Sequence, residues 1–138
     1  MAESLEKQLE QVRLIRRLRV RSRLRDQQAQ AMVVQATQDC LDQAERSVLD
    51  REMHAVTLQR DGMKDLVDDS VTVQDLLKFN KRKIRSLKQI KDAKRSVFEQ
   101  HREKMLAIEV LQERIRQTKK AEKKLMGIDE VIAGQLWK

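Results

Sequence analysis

The sequence predicts an all-α protein, a long two-helix antiparallel coiled-coil hairpin. The 138 residues include no Pro and three Gly, so little in the chain interrupts a helix. One Trp, two Phe and no Tyr stand against 38% charged residues, which leaves little bulky apolar material for a globular core. Val73, Leu76, Leu87, Ile90, Val97, Ile108, Leu111, Ile115, Thr118 and Leu125 fall on a ladder of 3- and 4-residue steps, with no Gly or Pro between Val73 and Leu125. Such a ladder is a coiled-coil seam. A single narrow seam needs a partner helix of similar length to cover it.

The first helix is expected over about residues 4–61. Ser4 is placed to cap it, and Glu6 sits in the first turn, where a negative charge suits the helix dipole. Its apolar positions are Leu5, Leu9, Val12, Ile15 and Leu18, then Ala29, Val33, Ala36, Cys40, Ala44, Val48, Ala55 and Leu58. Small seam residues let helices approach closely but bury little area at about 25 cal/mol per Å², so this stretch is expected to be the weaker one.

Gly62 is the first strong break, and a turn is expected over about residues 62–72. Thr72-Val73-Gln74-Asp75 has the form of a capping box, which makes Thr72 the N-cap of a second helix over about residues 73–126. Lys119, Lys120, Lys123 and Lys124 would fill its last turn, and Gly127 would end it as a C′ residue. Ile128, Val131, Ile132, Leu136 and Trp137 then form an apolar tail, 127–138, able to fold back on helix one or to dock on a partner. The whole chain, 1–138, is expected to be one elongated unit.

Charge patterning supports the hairpin. Residues 39–75 carry ten acids and four bases, a net of −6, and residues 78–96 carry nine bases against Asp92, a net of +8. Folding the chain about residue 68 sets these blocks side by side, where flanking ion pairs would fix orientation and register. The same fold brings Arg13, Arg16, Arg17, Arg19, Arg21, Arg23 and Arg25 alongside Arg114, Arg116, Lys119, Lys120, Lys123 and Lys124. Two basic segments side by side repel, and an acidic partner would relieve that repulsion. This juxtaposition is the main functional signal in the sequence.

Other functional classes are less well served. No nucleophile–base pair, metal-ligand spacing or Gly-rich phosphate loop is present, so an enzyme, a cofactor and a small-molecule substrate are not expected. Cys40 is the one cysteine, which rules out an internal disulfide and fits a reducing compartment; it is expected to be a small buried seam residue. Lys94 and His101 are read as polar seam positions that set register, and Met53, Met63, Met105 and Met126 as seam filler. The N-terminus lacks the basic and apolar regions of a signal peptide, and no run approaches the roughly 20 apolar residues of a membrane span, so a cytoplasmic protein without direct membrane insertion is expected.

A net charge of +8 favours an acidic protein, a nucleic acid or an anionic membrane surface. Against nucleic acid, the basic region lacks aromatic residues for stacking, and Val12, Ile15 and Leu18 interleave with its arginines. Against the membrane, no bulky aromatic anchors the helix. A plain solvated basic face is the alternative to all three.

The Arg-rich start VRLIRRLRVRSRLRDQQAQ (residues 12–30), the charged second helix opening on VTVQDLLKF (71–79) and the two-helix layout together resemble the FliJ/YscO family, the central stalk proteins of flagellar and virulence type III secretion ATPases. The resemblance covers most of the chain. It implies that the helix ends enter the pore of a hexameric ATPase, as the γ subunit of rotary ATPases does, promote ring assembly and link ATP turnover to an export-gate membrane protein. Arg13, Arg16, Arg17, Arg19, Arg21 and Arg23, with Arg116, Lys119 and Lys120, would then face acidic residues of the ring. Leu76, Leu77, Phe79 and Ile84 would meet the export gate. A coiled-coil adaptor or scaffold binding secretion chaperones is the second reading, and a basic helical nucleic-acid binder the third.

Overall fold

The computed structural model describes residues 2–67 and 70–136. It is an all-α helical hairpin: α1 (Ala2–Leu66) and α2 (Val73–Leu136) pack against each other, and no strand occurs among the described residues. The chain divides into two compact units. The terminal unit comprises Met1–Ala36 and Met105–Lys138, and the central unit Thr37–Lys104.

Thr72 is the N-cap of α2, as expected. Its backbone N–H donates to Asp75 Oδ2 at 3.1 Å, and the Asp75 N–H donates back to Thr72 Oγ1 at 3.3 Å. This reciprocal pair satisfies two donors that a helix start otherwise leaves open. The bond from the Thr72 N–H first, and then the Thr72 hydroxyl beside it, hold the Asp75 carboxyl below its ordinary range; desolvation opposes them and the Lys78 charge adds to them.

Three expected boundaries shift. α1 begins at Ala2, so Ser4 lies inside the helix and is not its cap. It also runs through Gly62 to Leu66, ending near a Val67 N–H to Lys64 carbonyl bond of 3.3 Å. α2 continues through Gly127 and Gly134 to Leu136, so the expected apolar tail is helix; Trp137 lies outside the described residues. No glycine among the described residues adopts a positive φ, so Gly127 is not a left-handed cap. Leu125, Ile128 and Ile132 continue the α2 seam past it, with Ile128 buried, and that burial outweighs the roughly 1 kcal/mol that glycine costs a helix.

In the central unit α1 turns Leu41, Ala44, Val48, Ala55, Gly62 and Leu66 toward α2, and α2 answers with Phe79, Ser86, Ile90, Ala93 and Val97. Leu41 and Ser86 are buried and the others half-buried. The spacing is the expected 3-and-4 ladder with small residues. Gly62 has a packing role: a Cβ there would stand 2.5 Å from Cε2 of Phe79, so the ring fits only because position 62 has no side chain.

The terminal unit uses other residues. Leu9, Arg13, Arg16, Val20, Gln27, Gln30 and Val34 are half-buried on α1, each 3, 4 or 7 residues from the next, and Asp26 beside them is half-buried too. Ile15 and Leu18, expected in the seam with Val33 and Ala36, are exposed on the far side; Val12 is half-buried. Opposite, Ala107, Thr118 and Ile128 are buried, with Ile108, Leu111, Ile115 and Leu125 half-buried between them. The buried Thr118 hydroxyl donates to the Arg114 carbonyl at 3.0 Å, and Gln30 Nε2 donates across to the Ala107 carbonyl at 3.0 Å. Ala107 is small enough to let the glutamine reach the backbone.

Further expected seam residues are exposed: Cys40, Val73, Leu76, Leu87 and His101, together with Met53, Met63, Met105 and Met126. Lys94 is exposed as well and pairs with Glu52 at 3.6 Å. Among the described residues, Lys94 is the one base of residues 78–96 with a carboxylate within 4 Å, so the acidic and basic blocks pair far less than expected. Helical spacing points most of these bases away from α1.

Candidate functional site: a basic groove in the terminal unit

Positions 16, 19 and 23 of α1 follow 3- and 4-residue steps, as do positions 113, 116/117, 120/121 and 124 of α2, so each set forms one helix face. The two faces border an open groove of about 600 Å³ lined by Arg16, Arg19, Arg23, Glu113, Arg116, Gln117, Lys120, Ala121 and Lys124. Six cations there meet one carboxylate, a net of +5. Glu113 engages Arg116 at 3.4 Å within its own helix.

Two of the arginines are oriented by α2. Arg16 Nη1 donates to the Lys124 carbonyl at 2.7 Å, and Arg23 Nη1 donates to Gln117 Oε1 at 3.3 Å. Both partners are neutral groups that leave the charge uncompensated. Long arginine stems cover apolar neighbours while their heads stay wet, which lets such residues occupy or flank a seam. Further along, Arg13 Nε lies 2.8 Å from Asp129 Oδ1, both atoms out of solvent, in an ion contact whose N–H is not aimed along that line. Arg13 also lies 3.9 Å from Glu10. Arg114 and Asp26, 3.9 Å apart and partly exposed, contribute at most about 1 kcal/mol.

The structure thus sorts the nine basic residues singled out in the sequence. Arg16, Arg19, Arg23, Arg116 and Lys120 come together in the groove. Arg13 is held by Asp129, and Arg17 borders a separate shallow depression with Glu10, Gln11, Arg13 and Leu14. Arg21 and Lys119 are exposed outside the groove. Lys124, already among the bases that the sequence sets alongside the α1 arginines, and Gln117, which was not singled out, complete the site; the spacing of Gln117 from Glu113 and Lys124 was the available signal.

In the central unit, Leu76, Leu77 and Ile84 are exposed, but Phe79 turns onto Gly62. Phe79 borders a depression of about 350 Å³ with Asp65, Asp75, Lys78 and Arg82. The four candidate gate residues therefore do not form one surface.

No group of three or more His, Cys, Asp or Glu side chains able to hold a metal ion occurs among the described residues, and no helix there is long and apolar enough to cross a membrane. No family model, curated protein or solved structure matches this chain.

Proposed function

We propose that the chain is a non-enzymatic stalk whose basic groove binds an acidic protein surface. The observation that supports this reading is the groove itself: six cations against one carboxylate, two of the arginines already oriented by neutral bonds. Concentrated like charge costs the free protein stability, and an acidic partner removes that cost while gaining fast, steered association. A planar guanidinium matches a carboxylate with two parallel bonds, so the arginines suit Asp and Glu side chains.

The resemblance to the FliJ/YscO stalks names the partner in this proposal. It is the acidic lining of a hexameric type III secretion ATPase, with an export-gate protein contacted by exposed residues at the start of α2, Leu76, Leu77 and Ile84. Binding in the ring would promote its assembly and activity on the cytoplasmic side of the secretion apparatus.

The test separates groove residues from other bases of the same helices. The chain is mixed with the secretion ATPase and ATP turnover is followed. Arg19→Glu with Lys120→Glu should abolish stimulation, and Arg21→Glu with Lys119→Glu should leave it within about twofold, all variants keeping wild-type helicity. Equal loss in both pairs would reduce the site to net charge, and no stimulation by the wild type would remove the ATPase as partner. Tight binding to generic duplex DNA, with a log–log salt slope of several units, would transfer the groove to the nucleic-acid reading.

A further inference from the structure

The central unit carries a second heptad ladder on its outside. On α1, Leu49, Met53 and Val56 each directly follow a residue on or beside the inner seam, positions 48, 52 and 55. On α2, Leu87 follows Ser86 and Phe98 follows Val97, Ile84 falls on the same ladder three residues before Leu87, and Lys91 and Lys94 occupy the two ladder positions between Leu87 and Phe98. All six apolar residues are more than half exposed.

One residue is a rotation of about 100° around a helix. The same rotational offset on two antiparallel helices brings both stripes to the same side of the pair. The contacts agree. An apolar cavity of about 430 Å³ is lined by Val48 and Leu49 from α1 and by Lys94 and Val97 from α2, with Glu45, and the Glu52–Lys94 pair bridges the helices on this side. The Gly62–Phe79 approach and the Glu52–Lys94 pair set Val56 about level with Ile84, and Met53 with Leu87.

From these observations we infer that the central unit holds a docking groove for a third helix, an acidic amphipathic helix of another protein. The stripe from Ile84 to Phe98 spans roughly 21 Å at 1.5 Å per residue, about four turns of a guest. Its apolar residues, spaced as in a coiled coil, would accept knobs from a guest with its own 3-and-4 ladder. Charge selects the guest. Arg46 and Arg60 bracket the α1 stripe, and Lys88, Lys91 and Arg95 run along α2; none of the five has a carboxylate within 4 Å among the described residues. Acids flanking a guest's apolar positions would meet them. A second copy of this chain is a poorer guest, because a two-fold contact sets the same basic edges against each other. This groove does not depend on the basic groove, which lies in the terminal unit; Ile84 is the one stripe residue that the stalk reading also uses, and the test below substitutes Met53 and Leu87 instead.

The full-length protein would be titrated against a labelled synthetic three-heptad peptide with Leu at its a and d positions and Glu at e and g, followed by fluorescence anisotropy. Controls are the same peptide with Lys at e and g, and one with Leu replaced by Gln. Saturable binding of the acidic peptide is expected, weakened at least tenfold by Met53→Gln with Leu87→Gln and at least tenfold weaker for either control peptide. Both substituted side chains are exposed, so the melting temperature should hold, which separates lost docking from lost fold. Indifference to Met53→Gln/Leu87→Gln, or equal binding of the Lys peptide, would overturn the proposal. A concentration-dependent dimer in sedimentation that disappears in the same variant would make the occupant a second copy and overturn it too.

Discussion

The terminal and central units are built by the same two helices on the same 3-and-4 spacing, yet they fill that spacing oppositely. In the central unit α1 turns Leu41, Ala44, Val48 and Ala55 inward, and the seam is apolar and small. In the terminal unit the α1 positions on the same ladder include Arg13, Arg16, Gln27 and Gln30, while Ile15 and Leu18 face solvent. Both units bury apolar residues, but the terminal unit buries them mainly from α2, adds hydrogen bonds and ion contacts from polar α1 positions across the pair, and keeps a net positive groove open. The difference shows that heptad spacing specifies where helices meet without specifying that the meeting is hydrophobic. A polar seam costs stability and leaves charged groups available to a partner.

The largest effect should come from breaking the apolar seam. Leu41 is 5% exposed, and Leu41→Ala should destabilise the protein by about 2 kcal/mol or more, read as a lower denaturant midpoint at unchanged m-value. If the loss is under about 0.5 kcal/mol, the central seam is not what closes that unit.

The reverse experiment turns the terminal seam apolar. Arg16→Leu with Arg23→Leu should stabilise the fold by about 1 kcal/mol, because two like charges leave the groove and apolar side chains replace them. Adding salt should raise the wild-type melting temperature for the same electrostatic reason, since the Debye length falls from about 30 Å at 0.01 M to about 10 Å at 0.1 M. That salt dependence should shrink in the double variant. A double variant less stable than the wild type would mean that the Arg16–Lys124 and Arg23–Gln117 bonds outweigh the repulsion.

Gly62 sharpens the comparison within the central seam. Alanine in a helix interior normally gains up to about 1 kcal/mol over glycine, but the added methyl would collide with Phe79. Gly62→Ala should therefore lose stability or gain none, whereas in a Phe79→Ala background it should gain close to 1 kcal/mol. Equal effects in both backgrounds would deny the contact.

The smallest effect concerns the start of α2. The folded carboxyl of Asp75 sits below its ordinary value of 3.8, so its stabilising contribution is complete above that value and is lost as pH falls through the lower, folded one. Asp75→Asn should flatten the acid limb of the stability–pH curve slightly by lowering stability a little near neutrality, the two proteins becoming alike at low pH. An unchanged acid limb would show that the capping box is not formed in solution.

Much of this could be read directly from the residues. Absence of Pro, scarcity of aromatics and the ladder from Ile90 to Leu125 point to long paired helices, and the Thr72–Asp75 motif places the start of α2. Local composition settles these because helix propensity and capping are short-range. The basic groove was legible in part: Arg16, Arg19, Arg23, Arg116, Lys120 and Lys124 stand out as charges, but Gln117 becomes a member only once α1 lies against α2.

Three features were decided by tertiary structure alone. Which of two interleaved ladders faces the partner depends on the packing of both helices, so Ile15 and Leu18 went outward and Arg13 and Arg16 inward. Whether glycine ends a helix depends on what the following residues bury: Ile128 carried α2 through Gly127, and Phe79 used Gly62 as a seat. Whether charged blocks pair depends on rotation about the helix axis, which sets Lys94 beside Glu52 and leaves Lys88, Lys91 and Arg95 with no carboxylate within 4 Å among the described residues. The sequence by itself determined two long helices and an excess of positive charge; only the packing of one helix on the other decided which faces were buried and which remained free to bind.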